Sequence, residues 1–83
     1  MSFNLERAAM RGRLAEVKDQ QRKLLLKGEG LCIALRQGLN TALTPFEELA
    51  VPQLASQMDD LVMAWAELQK CQSDIARLER ELR

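Results

Sequence analysis

Residues 54–82 read LASQMDDLVMAWAELQKCQSDIARLEREL, and the periodicity of this stretch decides the fold. Every seventh position is Leu54, Leu61, Leu68, Ile75 and Leu82, and the positions between them, at alternating spacings of four and three, are Met58, Trp65, Gln72 and Glu79. That alternation holds one seam of an α-helix toward a partner, because 3.5 residues per repeat matches a slightly underwound helix. The stretch therefore predicts a long, partner-seeking helix over residues 53–82. Ala64, Cys71 and Leu78 form a parallel stripe on one flank of the seam, and Ala55, Val62 and Ala76 lie on the other. So wide an apolar face implies at least two packed neighbours, as in a bundle. Asp60, Glu67, Asp74 and Glu81, with Lys70, Arg77 and Arg80 beside them, read as the solvated outer face.

The same alternation recurs upstream. Phe3, Arg7, Met10, Leu14, Val17, Gln21 and Leu24 trace a seam over a first helix, residues 3–27. Ser2 or Asn4 would cap its start, and Gly28-Glu29-Gly30 is expected to stop it, since glycine admits the left-handed conformation that ends helices. Leu5, Ala8, Gly12 and Ala15 make a second, small-residue stripe. A shorter helix is expected over 31–43, with Leu31, Cys32, Leu35, Leu39, Ala42 and Leu43 on its apolar side and Gly38 weakening its middle. Thr44-Pro45-Phe46-Glu47 has the form of a capping box with proline at the first helical position, predicting a short turn of helix over 45–50. Pro52 then restarts the chain into the last helix.

The fold class expected is all-α: a single domain, residues 1–83, of three helices. The first and last pack as an antiparallel, coiled-coil-like hairpin, and the middle one folds over its closed end. Setting Met58 opposite Gly28 places Trp65 near Gln21, Gln72 near Leu14 and Glu79 near Arg7, so the charged seam residues Arg7 and Glu79 would meet. An up-down-up arrangement would leave the long helices bare at their ends.

Composition agrees with helices. Hydrophobic residues make up 47% of the 83 and aromatics only 4%, so the core is built from Leu, Ala, Ile, Val and Met. Net charge is zero. Residues 1–27, however, carry seven basic against three acidic side chains, and residues 28–70 two against six. Segments so divided attract one another, within a chain or between chains.

Several function classes are hard to build here. There is no histidine, which removes His-based triads, His metal ligands and the imidazole pH switch. Cys32 and Cys71 have no C-x-x-C spacing and read as reduced packing residues. No apolar run approaches the roughly 20 residues of a membrane span. Glu6, Arg7, Arg11 and Arg13 break up any signal-peptide core, so a cytoplasmic location is expected. Arg11, Lys18 and Arg22 lie along one side of the first helix as a candidate basic face for nucleic acid, interrupted by Glu16 and Asp19.

The heptads are those of coiled coils in general and single out no family. They point to a small, non-enzymatic interaction module (an assembly factor, a chaperone-like protein or a regulatory subunit) working by helix-in-groove packing. Its expected partners are a second copy of itself, as a dimer, and secondarily another helical protein. A nucleic-acid-associated protein that dimerises and uses the basic first helix is the alternative. No cofactor, metal, membrane or small-molecule substrate is expected.

Overall fold

The computed structural model describes residues 2–83, with side-chain surroundings from Asn4 onward, so the Phe3 position of the seam and a Ser2 cap lie outside the described side chains. The chain is an antiparallel hairpin of two long helices, α1 (Ser2–Gly38) and α2 (Val51–Glu81), measuring 66 × 16 × 15 Å. Between them lies a single turn of 3-10 helix, Phe46–Glu48.

The expected break at Gly28-Glu29-Gly30 does not occur, and no separate helix spans 31–43. α1 runs through the glycines to Gly38. Among the described residues no glycine has a positive φ, so these two remain in ordinary helical conformation. The physical reason lies in the seam. Beyond Leu24 the same four-three alternation continues through Gly28, Leu31, Leu35 and Gly38, and each of these is buried or half-buried. Packing against α2 along that line outweighs the roughly 1 kcal/mol that each glycine costs a helix interior.

The reversal is therefore short. Leu39 still donates to the Leu35 carbonyl at 3.0 Å, and the Asn40 side-chain oxygen then accepts the Ala42 amide at 3.0 Å. That contact is the local side-chain substitute for a backbone turn that asparagine favours. Leu43 and Thr44 both donate to the Asn40 carbonyl, at 3.2 and 3.3 Å. The expected capping box does not form: Pro45 is the capping residue of the 3-10 turn and no side-chain cap bond is made. α2 follows at Val51, with Pro52 in its first turn, where a missing amide costs nothing.

A later reversal changes the register. Gly38 stands against the Leu54 side chain. The expected pairing of Met58 with Gly28 would have put Cys32 there, six positions earlier on α1 (38 − 32). Arg7 and Glu79 consequently do not pair. The Arg7 guanidinium donates to the Leu82 carbonyl at 2.7 Å, closing the negative end of α2. Glu79 lies 3.9 Å from Lys18 instead.

The core is a line of contacts along the hairpin. Val17, Leu24, Cys71, Ile75 and Leu78 form its main cluster, with Met10, Leu14 and Leu68 packed against it. Leu35, Leu54 and Ala64 are buried nearer the turn, and Leu61 and Leu82 are half-buried. On α2 the heptad leucines face α1, but their companions are Gln57, Ala64, Cys71 and Leu78, one position before Met58, Trp65, Gln72 and Glu79. Trp65 is 62% exposed and Met58 50%, so neither belongs to the intramolecular seam. Both alternations share the same leucines; the flank decides between them. One choice would bury a glutamine, a glutamate and a tryptophan, and desolvated polar groups without partners are costly. The other half-buries one glutamine, Gln57, near the turn and otherwise buries alanine, cysteine and leucine, and the two small residues let the helices approach closely.

Candidate interaction surface

With the seam fixed, the two sides of the hairpin differ in character. On one side, Arg13 and Gln20 of α1 meet Glu67, Lys70 and Asp74 of α2 across a shallow polar cleft. On the other, the half of the hairpin near the turn is apolar. Leu25, Cys32 and Ile33 of α1 and Leu61, Trp65 and Leu68 of α2 line an open groove of about 450 Å³, floored by Gly28 and Ala64 and edged by Glu29 and Arg36. Trp65, Val62, Met58, Leu39 and Leu25 are 62, 54, 50, 57 and 42% exposed. One or two exposed leucines are ordinary; here the exposed apolar side chains form a strip shared by two helices.

The groove follows from sequence spacing. Leu25, Cys32 and Leu39 recur every seventh residue beside the α1 seam, as Met58 and Trp65 do beside the α2 seam. In an antiparallel pair these positions meet along the same edge. Further toward the chain ends the edge becomes polar, with Lys18 facing Glu79 at 3.9 Å and Gln21 near Gln72. The apolar part of this edge is thus confined to the turn-proximal half.

The candidate basic face is largely engaged with carboxylates. Arg22 hydrogen-bonds Asp19, Lys23 reaches the same carboxylate at 3.1 Å, and Lys18 faces Glu79. The Lys23 hydrogen bond and charge, with Arg22 adding to them, hold the Asp19 carboxyl below its ordinary value of 3.8. Of the three basic residues, only Arg11 makes no ion pair among the described residues. Cys71 is buried in the core and Cys32 is exposed at the groove. Among the described residues no cluster of three or more Cys, Asp or Glu is placed to hold a metal ion, and no helix is long and apolar enough to cross a membrane.

Of the seam residues expected from sequence, the hairpin brings together Met10, Leu14, Val17, Leu24, Leu68 and Ile75. It turns Met58 and Trp65 outward. Glu29, Cys32, Ile33 and Arg36, the part of the α1 wall beyond Gly28, were hidden by the expected helix break. The unbroken alternation past Leu24 was the signal that could have found them. Comparison of the chain with protein-family models, with curated proteins and with solved structures found no match.

Proposed function

We propose that the protein is a non-enzymatic interaction module, a cytoplasmic assembly factor, chaperone-like protein or regulatory subunit, which binds helices in the apolar groove and self-associates through it. The observation that carries this reading is the strip of Leu25, Cys32, Met58, Val62 and Trp65, exposed together along the turn-proximal edge that α1 and α2 share. A partner helix laid there would complete a bundle, its apolar anchors filling the groove between α1 and α2. Glu29 and Arg36 at the rim would select among partners by charge.

Sedimentation equilibrium of the wild type and of Val62→Glu tests the reading. Val62 is half exposed and its replacement leaves the hairpin core untouched. Self-association by the wild type and its loss in a variant of unchanged helicity support the proposal. A wild-type chain that stays monomeric removes self-association.

A further inference from the structure

The groove edge is self-complementary, and from this we infer that its occupant is a second copy of the chain, related by a two-fold axis that passes beside Cys32 and crosses the hairpin at a right angle. The inference rests on the self-association proposed above and adds the geometry.

Along the exposed edge of α1 the order is Leu25, Glu29, Cys32, Arg36, Leu39. Laid antiparallel on its own copy with Cys32 at the centre, Leu25 meets Leu39, and Glu29 meets Arg36 on both sides of the axis. Both rim charges are exposed, and among the described residues neither has an ion-pair partner. They cannot satisfy each other within one chain, since seven residues of helix hold them about 10 Å apart.

α2 gives the same axis independently. Its exposed edge reads Met58, Val62, Trp65, which on an antiparallel copy sets Met58 against Trp65 and Val62 against itself. With Gly38 against Leu54, Cys32 stands level with Asp60 on α2. The centre on α1 and the centre on α2 therefore fall within about two residues, or 3 Å, of the same height. A two-fold contact must be isologous, each surface matching itself, and two helices meeting that condition at one level is a strong constraint.

The area is adequate. From Cys32 to the tip of the turn is about 20 Å, so two copies overlap for about 40 Å at 1.5 Å per residue. With a hairpin 16 Å wide, the footprint is about 600 Å² on each copy, near the lower bound for stable specific interfaces. The open ends of the hairpins then point in opposite directions. The particle lengthens from the 66 Å of one protomer to about 90 Å, whereas a parallel dimer would keep the shorter length.

Three measurements on the full chain test this. A short bis-maleimide should join two chains through Cys32, with no product from Cys32→Ser. Glu29→Arg or Arg36→Glu alone creates two like-charge contacts across the axis and should weaken the dimer about tenfold or more. The double variant Glu29→Arg/Arg36→Glu should restore wild-type association, and small-angle scattering should give a maximum dimension near 90 Å. A dimer about 66 Å long, with no Cys32 product and no rescue by the double variant, overturns the two-fold while leaving self-association in place. A monomer at every concentration overturns both.

Discussion

Gly30→Ala separates a continuous α1 from a helix broken at its glycines. Gly30 is exposed, its φ is helical, and a Cβ built on it has no neighbour within 4 Å. The methyl group therefore meets no steric penalty and reduces the freedom of the unfolded backbone. The gain expected for such a substitution is about 0.5–1 kcal/mol. For a domain of this size that raises the melting temperature by about 2–8 °C. Gly12, also exposed within α1 and equally open, serves as the reference: Gly12→Ala should shift melting in the same direction by a similar amount. Thermal circular dichroism at one fixed protein concentration reads both, and the fixed concentration keeps any contribution from association the same for each variant. If Gly30→Ala lowered the melting temperature while Gly12→Ala raised it, Gly30 would be in the left-handed conformation of a helix stop. The single 37-residue α1 would then be wrong, along with the register that follows from it.

Other perturbations give distinct outcomes. Leu78→Ala removes a side chain only 4% exposed in the main cluster and should cost about 2–5 kcal/mol, read by chemical denaturation; Leu68→Ala, at a half-buried site, should cost less. Ellman's reagent should titrate one thiol at once, the exposed Cys32, and the buried Cys71 only as the hairpin opens; two equally fast thiols would contradict the packing of Cys71. Asp19, held below its ordinary value by Lys23 and Arg22, contributes stability that is complete above that ordinary value of 3.8 and is lost as pH falls through the lowered one. Asp19→Asn should accordingly lose part of the acid dependence of unfolding below its ordinary value of 3.8, and an unchanged profile would count against the contact. Finally, with Lys18 and Arg22 facing carboxylates, the chain should pass through heparin in low salt without retention, while retention lost on changing Arg11, Lys18 and Arg22 to Ala would revive the nucleic-acid reading.

Most of the hairpin was legible in the sequence. Four-three spacing from Met10 to Leu24, and the heptad from Leu54 to Leu82, identified two long helices that pack together and the leucines that face α1. Two features were obscured, for related reasons. Gly28 and Gly30 carry the residue type that most often ends helices, and that local rule was set above the continuing phase of Leu31 and Leu35. Tertiary packing reversed the order, as it does when a seam runs the length of an element. On α2 the leucines alone could not say on which side their companions lie. Met58 and Trp65 looked like seam residues because they are large and apolar, yet Gln72 and Glu79 share their stripe and would be buried with them. Ala64, Cys71 and Leu78 carry no polar atoms that need partners, apart from a weak thiol, and that difference settles the choice. The groove was illegible because it depends on both: it exists only when α1 continues past Gly30 and Trp65 is turned outward.

Methyl NOE spectroscopy addresses the pairing of the two helices most directly. The hairpin places the Val17 methyls against the side chains around Ile75 and Leu78, and the Trp65 indole on a groove that Leu25, Cys32 and Ile33 line and Gln21 does not. Cross-peaks from Val17 to Ile75 or Leu78, with none from the Trp65 ring to Gln21, are the result expected. Contacts linking Trp65 to Gln21 and Arg7 to Glu79 would instead establish the earlier register, and with it a different turn, a different core and no groove.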